Sequence, residues 1–505
     1  MLKSIQIWIF LLVISIFGIY LLYNLRDRLK ILRFILSLDG PPAIPILGNA
    51  AFVYDEDVLR KMSHDAYELY GPVFRIWLTL LPCVVLLEPK DIQQVLGNSK
   101  NTGKIMFYKM LDNFLGKGLI TSNVETWTKH RKILQPAFHR QNLEKFVESF
   151  TRCSERLANK ISPLGQRDIN VTSFVNDSVY EILNETVLGV RIGKENGITN
   201  TEELPFRKGK VLVPYRLMKP WLLIDWIYRF TRSGKNEEKH RNDLANACRK
   251  IVMEKREKMG RGGGKFGEDT LMDFMMEKSE ASGCLTDEEI VNECCTFMLA
   301  GQDSVGTATA ITLFLLANNS VWLDKCVNEI DHIFGKLPDE SSSPKIEDFR
   351  EMKYLDWCIK ETLRLYPSVP LFARTLGEDL TIGKHVLPAG CGVIIMPYST
   401  HRLAHHFSDP HAFKPERFNP ENSANRHPYA YVPFSAGPRN CIGNKFAILE
   451  IKSMISMLLR KFVLAPVPGK DQIQPKFRLT VRAKGGLWIR ITPRNDRTAG
   501  ARTND

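Results

Sequence analysis

Near the C-terminus, Phe434-Ser435-Ala436-Gly437-Pro438-Arg439-Asn440-Cys441-Ile442-Gly443 sets one cysteine among two glycines, an arginine and an aromatic ring. The chemistry such a loop suits is a thiolate bound to a haem iron. Gly437 and Gly443 let the backbone turn tightly and approach the sulfur. The N–H groups of the turn can then point at the sulfur and tune it. Arg439 can form a charge-assisted pair with a haem propionate. A helix over Lys445 to Lys452 brings its N-terminus close to the anionic sulfur. A thiolate on haem iron favours O–O bond cleavage. The other nine cysteines are scattered, without Cys-x-x-Cys spacing, and read as inert buried thiols.

A second constellation is Ala300-Gly301-Gln302-Asp303-Ser304, inside a long apolar run. Asp303 and Ser304 form an acid–alcohol pair suited to delivering protons where water is otherwise excluded. Ala300 and Gly301 remove bulk, leaving room for dioxygen and for a locally widened helix. The competing reading is a helix-interior Ser and Asp, bonded to nearby backbone or salt-bridged. The element that must carry the pair is well signalled. Thr286 with Glu289 makes a capping box, the apolar run continues to Leu316, and Asn318-Asn319 offers a stop. A helix this apolar should be buried nearly all round.

Glu361 and Arg364 lie one turn apart on a helix face. Such a pair is usually a surface salt bridge of small value. Trp127 and Arg131, at i and i+4, could form an aromatic–cation contact.

The Cys441 loop resembles that of the cytochrome P-450 superfamily of haem-thiolate monooxygenases, whose pattern Phe-x-x-Gly-x-Arg-x-Cys-x-Gly is met by Phe434, Gly437, Arg439, Cys441 and Gly443. Lys360 to Arg364 resembles the family's Glu-x-x-Arg helix. Pro415-Glu416-Arg417-Phe418 resembles the meander that completes a Glu-Arg-Arg triad, and Trp127-x-x-x-Arg131 the helix that supplies a propionate partner. Ala300 to Ser304 resembles the oxygen-activation segment, with Ser304 where the family usually has Thr. The resemblance spans about Pro41 to Arg490 and implies the cytochrome P-450 fold, mainly α with small β-sheets. It implies a buried structural triad of Glu361, Arg364 and Arg417, with Trp127, Arg131 and Arg374 as propionate partners. It places Met106, Phe107, Leu115, Val369, Leu371 and Phe372 along an apolar substrate pocket. The cofactor it implies is haem b, with O2 and NADPH as co-substrates.

Leu134 to His139, Lys353 to Lys360 and Leu365 to Pro370 resemble more nearly the animal and insect family-4 clan of microsomal enzymes. Many of these have a Glu, esterified to the haem, where this chain has Ala300. No covalent haem link is therefore expected, and terminal fatty-acid hydroxylation is put in doubt. The implied reaction inserts one oxygen atom into a fatty acid, a terpenoid or sterol, or a foreign lipophile. No nucleotide-binding Gly-rich unit is present in the sequence. Electrons must therefore come from a reductase, and the resemblance implies the flavoprotein NADPH reductase of the same membrane, with cytochrome b5 as a further donor. Lys129, Lys132, Arg140 and Lys445 could meet its acidic face. The alternatives are a haem-thiolate isomerase or dehydratase acting on peroxides, and a non-enzymatic membrane haem protein.

The chain has 505 residues, 44% hydrophobic and 25% charged, which suits a globular protein with a substantial core. A net charge of +13 fits an anionic lipid surface and an acidic donor protein. Nucleic acid is not expected, since no basic stretch interleaves aromatics. The basic segment from Arg249 to Lys265 also contains Glu254 and Glu257 and reads as a solvated helix face. Ser4 to Leu25 carries no charge, and Arg26, Arg28, Lys30 and Arg33 follow it. This reads as a single-pass anchor with the body in the cytosol, a cleaved signal peptide being the alternative, and the microsomal resemblance implies the endoplasmic reticulum membrane. Residues 1–38 are then anchor and juxtamembrane segment. Residues 39–505 form one haem-binding catalytic domain, opened by a proline hinge over Asp39 to Pro45. Val73 to Leu87 suits paired strands, and Phe477 to Thr492 reads as a hairpin around Gly485-Gly486. Gly260 to Gly267 reads as a surface loop. Val211 to Phe230 is either a core helix or the segment that roofs the pocket and dips into the bilayer.

Overall fold

The structure is a computed structural model that describes residues 26–50, 58–193, 213–262, 270–336 and 343–494. It is mainly helical with small β-sheets. The helices that frame the site are α1 (Pro89–Leu96), α2 (Val124–Leu134), α3 (Arg140–Ile161) and α4 (Val171–Leu183). They continue with α5 (Arg232–Gly262), α6 (Asp287–Ala317), α7 (Lys353–Leu365) and α8 (Asn444–Lys461). No helix among the described residues is long and apolar enough to cross a membrane. The anchor expected over Ser4 to Leu25 lies outside the described residues.

The central helix α6 begins as its sequence requires. Thr286 Oγ1 accepts from the Glu289 N–H at 3.2 Å, and Glu289 accepts from the Thr286 N–H at 2.8 Å. Such a cap contributes about 1 kcal/mol. Asp287, Glu288 and Glu289 also complement the helix dipole. Asn318 caps the other end, and every side chain from Val305 to Ala317 is buried. The helix runs unbroken as α through Gly301, so the widening expected there is not present. Gly301 serves packing instead. A Cβ on it would lie 2.7 Å from Leu183 Cδ2, and one on Gly306 would lie 2.3 Å from Asn176 Oδ1. Two missing side chains thus bring α6 close against α4.

Helices α3, α4, α6, α7 and α8 share the largest apolar core. Phe446 of α8 packs edge-on to Phe146 and Phe150 of α3, with centroids 5.5 and 4.8 Å away. Such pairs contribute about 0.5–1.5 kcal/mol each beyond burial. They seat the start of α8, and with it the loop that holds Cys441.

The strands in chain order are β1 (Val73–Leu78), β2 (Leu81–Leu86), β3 (Arg167–Asn170), β4 (Phe372–Thr375), β5 (Leu380–Ile382) and β6 (His385–Leu387). Then come β7 (Gly392–Ile395), β8 (Phe462–Pro466), β9 (Pro475–Phe477), β10 (Val481–Ala483) and β11 (Trp488–Pro493). The largest sheet has the order β1-β2-β7-β4, with β1 and β2 antiparallel as expected. The C-terminal hairpin differs from expectation. It turns at 478–480, pairing β9 with β10. Gly485 and Gly486, with φ of +79° and +83°, instead carry the chain to another sheet, where β11 lies between β3 and β8. Positive φ suits a hairpin turn, but β3 and β8 offer β11 both edges.

The hinge packs along β1, where Arg75 donates from its N–H to Asp39 O at 2.9 Å. The helix over 26–36 sits on the same sheet, with Ile35 and Leu38 buried beside Val84 and Leu86. Of the loop expected over Gly260 to Gly267, residues 260–262 are still the end of α5, and the rest lies outside the described residues. The basic face of α5 is partly paired rather than merely solvated. Arg249 forks onto Glu288 at 2.9 and 3.0 Å, and Arg256 reaches Asp287 at 2.7 Å, at the N-terminus of α6.

Of the segment expected over Val211 to Phe230, residues 213–230 are described and form three short helical pieces. Arg216 is fully buried, stacks 4.2 Å from the Tyr228 ring and pairs with Asp225 at 2.6 Å. Leu217 and Leu222 point inward, while Trp221, Ile224, Trp226 and Phe230 stand in solvent.

Candidate active site

The Cys441 loop is shaped by local sterics. The Cys441 N–H donates to Phe434 O at 2.9 Å and that of Asn440 to Gly437 O at 3.2 Å. Gly437 has φ +72°, and a Cβ there would lie 1.7 Å from the Leu96 carbonyl at the end of α1. No other residue fits. Ser435 also has positive φ, +58°, and its Oγ accepts from Arg374 at 3.2 Å. Gly443 has a different role from that expected, since a Cβ on it would make only an ordinary 3.7 Å contact with Phe138. It precedes α8, which starts at Asn444 and runs to Lys461. Burial pushes the Cys441 thiol up, while the Gly443 N–H and the Arg131 charge pull it the other way. A metal bound there would complete the deprotonation.

Cys441 faces a cavity of about 460 Å³. Cys441 is exposed to this space, with α6 among its walls. Of the residues singled out in the sequence, Gly301, Asp303, Ser304, Trp127, Arg131, Arg374, Phe434, Arg439 and Gly443 line it. So do Phe107, Leu115, Val369, Leu371 and Phe372. Met106 does not: it is 48% exposed. It opens a 3-10 helix, Met106–Leu111, in which successive side chains turn by about a third of a circle, so Phe107 faces inward and Met106 outward. Gly437, within the loop, does not line the cavity and packs against the end of α1.

The cavity wall collects positive charge. Lys104, Arg131, Arg374 and Arg439 all line it, and among the described residues none of these four has a carboxylate partner. Arg131 donates to Asn440 O and Oδ1 at 2.8 and 2.7 Å. Arg439 donates to the carbonyls of Thr102 and Ser122 at 2.6 and 2.7 Å, yet its buried Nε has no partner. Burial lowers the pKa of all four, and Arg439 falls to about 10. In Lys104 the charges of Arg374 and Arg439 add to that effect. Uncompensated cations around a closed space call for an anion. Lys104 was missed in the sequence because a single lysine ahead of an apolar stretch has no distinctive spacing.

Asp303 and Ser304 border the cavity, but both also have internal partners. Ser304 Oγ donates to Ala300 O at 2.7 Å, one turn back. Asp303 forms an ion pair with Arg482 of β10 and accepts from Thr480 Oγ1 at 3.4 Å. These are the bonds of the competing sequence reading. Ser368 Oγ donates to Ser304 O at 2.8 Å and ties α6 to the chain entering β4.

Behind the loop lies the charged triad. Glu361 and Arg364 are fully buried and joined by two bonds, of 2.7 and 2.8 Å. Arg417 Nε stands 3.3 Å from Glu361 Oε1. Arg364 also donates to the carbonyls of His401, Pro410 and Ala412, which fixes the path of the meander. His401 is a residue sequence reasoning missed. Burial and the Arg364 and Arg402 charges hold its pKa down to about 3. Its neutral Nε2 accepts from the Val432 N–H at 2.8 Å, just ahead of the Cys441 loop.

This arrangement coincides with a family match. The sequence profile described as Cytochrome P450 matches residues 38–489. The chain belongs to the cytochrome P450 family. It is 49% identical over 488 residues to "Probable cytochrome P450 4aa1" of Drosophila melanogaster, covering 96% of this chain and 95% of that protein. It is 36% identical to "Cytochrome P450 4c3" of the same fly, over 95% of this chain and 94% of the relative. "Cytochrome P450 4V2" of Homo sapiens is 33% identical, over 90% and 89%. These relatives place the chain in the family-4 clan and make it a P450 monooxygenase, with haem as its cofactor. The residues present fit haem. Cys441 offers a thiolate to the iron, and the four cavity cations with the orphaned Arg439 Nε suit two propionates.

Proposed function

We propose that this P450 monooxygenase hydroxylates a lipophilic substrate, a fatty acid, a terpenoid or sterol, or a foreign lipophile. The observation that carries the reading is the predominantly apolar cavity between α6 and Cys441. Bound haem supplies the activation of dioxygen. One oxygen atom enters a C–H bond and the other leaves as water, with two electrons from NADPH and two protons balancing the step. Cys441 would supply the thiolate ligand to the haem iron, and Lys104, Arg131, Arg374 and Arg439 would neutralise the haem carboxylates. Phe107, Leu115, Val369, Leu371 and Phe372 exclude water and press the substrate toward α6. Asp303, whose carboxylate is partly exposed and is held by Arg482, takes protons from solvent and passes them toward Ser304 Oγ once that hydroxyl turns from Ala300 O into the cavity. Glu361, Arg364 and Arg417 hold the loop and do no chemistry. With a methyl group at Ala300, the haem is not esterified to the protein.

We infer a membrane setting from the exposed apolar side chains. Trp221, Trp226 and Phe230 are 57%, 66% and 75% exposed. Ile46 and Leu80 are exposed nearby, and Thr79 Oγ1 donates to Leu217 O at 2.7 Å to join the two regions. This surface suits a bilayer from which a lipophile reaches the cavity, consistent with a single-pass enzyme of the endoplasmic reticulum and a cytosolic catalytic domain of residues 39–505. Lys129, Lys132, Arg140 and Lys445 are exposed. They suit an acidic NADPH–cytochrome P450 reductase, and cytochrome b5 as a second donor.

The test incubates the haem-loaded protein with its reductase, NADPH, heavy-isotope dioxygen and a lipid extract. Mass spectrometry of the products should find one heavy oxygen atom, incorporated only when reductase is present. Turnover of peroxides without reductase, and no labelled product, would replace the reading by an isomerase or dehydratase.

A further inference from the structure

A cluster of metal-ligating side chains lies outside the cavity. Glu88 follows β2 and caps the start of α1, while His405 and His406 follow the short helix Pro397–Thr400. His405 Nε2 stands 3.2 Å from Glu88 Oε1 and 3.4 Å from Oε2. His406 Nε2 stands 3.8 Å from Glu88 Oε2, beyond hydrogen-bond length. One ligand atom from each of the three residues lies within 4.8 Å of the others.

These separations suit coordination. A tetrahedral ion with bonds of about 2.0–2.1 Å sets its ligands about 3.3–3.4 Å apart. The Glu88–His405 contact already has that length, and the Glu88–His406 contact, at 3.8 Å, needs a small turn of His406. The carboxylate is oriented from behind, since Tyr67 Oη donates to Glu88 Oε1 at 2.8 Å. A hydrogen bond of this kind commonly fixes a metal-ligating carboxylate. Among the described residues no Lys or Arg forms an ion pair with Glu88. His406 brings a second imidazole nitrogen to the same carboxylate, 3.8 Å from Oε2.

The geometry points to a divalent transition-metal site, of the zinc class, formed by Glu88, His405 and His406 with a water in the fourth position. Two imidazoles and one carboxylate favour zinc over magnesium or calcium. The ion would join segments 317 residues apart in sequence. It would also fix the start of α1, whose last turn presents the Leu96 carbonyl to Gly437. The consequence is a firmer support for the Cys441 loop, not a second reaction.

The experiment uses the haem-loaded full chain without a histidine tag. Zinc chloride is titrated calorimetrically, and the thermal midpoint is followed with zinc concentration. One equivalent should bind, and the midpoint should rise as zinc is added. His405→Ala and His406→Ala should each weaken binding by at least about tenfold, and Tyr67→Phe by about tenfold. All three should keep the thiolate-type spectrum of the reduced, carbon monoxide-bound haem, showing an intact fold. Equal zinc affinity in both histidine variants and the parent would overturn the site. So would an absence of zinc binding, or magnesium binding as tightly as zinc.

Discussion

The Arg439 guanidinium lies over the Trp127 ring, 5.0 Å from its centre. The contact joins the cysteine loop to α2. Both residues line the cavity, and the same guanidinium holds the carbonyls of Thr102 and Ser122. One side chain therefore closes three segments around the space that haem would fill. Arg439→Lys keeps the charge and loses the fork. Hydrogen bonds from charged groups contribute about 1.5–3 kcal/mol each, so this variant should lose about that much stability or more. Haem content per chain and the thermal midpoint should both fall. Unchanged values for both would deny Arg439 its cofactor role.

Cys441→Ser removes the thiolate. The reduced, carbon monoxide-bound spectrum should lose its thiolate-type band, and oxygen insertion should stop. Persistence of that band in the variant would make another residue the ligand and remove the basis of the site.

Glu361→Gln leaves Arg364 buried without its counter-charge. Breaking a buried pair in this way costs about 3–5 kcal/mol. Arg364 keeps carbonyl partners on His401, Pro410 and Ala412, so the loss belongs at the lower end of that range. Chemical denaturation of purified holoprotein measures it. A loss within experimental error would show that the triad does not support the loop.

Asp303→Asn keeps the size of the side chain and removes its charge and its pairing with Arg482. General acid–base groups contribute roughly 10²–10⁴-fold to rate. Product formed per NADPH consumed should therefore drop by at least about tenfold while haem content is unchanged. Equal coupling in the variant would leave Asp303 with only its ion pair to explain it.

The His130 ring, fully buried, bridges α2 and α6. Its Nδ1 is 2.7 Å from Glu293 and its Nε2 3.2 Å from Glu289. Burial works to lower its pKa, but bonds to both carboxylates outweigh this and raise it. Its contribution to stability is in full force below the unfolded value of about 6.5. It is lost as pH rises through the raised folded value. Glu289 behaves oppositely. Burial works to raise its pKa, but bonds from Thr286 and His130 and the Lys129 charge lower it to about 2. Its contribution holds above the ordinary carboxyl range and is lost as pH falls toward that value. His130→Gln should flatten the alkaline decline of the denaturation midpoint. An unchanged alkaline slope would count against the buried bridge.

Much of the site was legible because its signals are local. The Cys441 loop is one continuous run from Phe434 to Gly443, and the Thr286 and Glu289 cap joins residues three apart. Spacing of this kind reflects helix periodicity and backbone reach, which the chain carries wherever it folds. Met106 and Phe107 show the limit. Both are large and apolar, and only the phase of a short 3-10 helix against the core turns one outward and the other toward the cavity. Gly485-Gly486 shows another. Its positive φ was readable as a turn, but the partners of β11 are β3 and β8, which no local pattern names.

The order of residues by itself determined that Cys441 stands in a loop resembling that of the haem-thiolate enzymes, that Glu361 and Arg364 share a helix face, and that α6 begins at its capping box. Tertiary structure alone decided that Lys104 joins three arginines on one wall, that Arg482 pairs with Asp303, and that Glu88 meets two histidines 317 and 318 positions away. The reason is physical. A few residues of backbone fix what neighbours in sequence can reach, whereas distant charges meet only where the packing of helices and sheet edges brings their segments together.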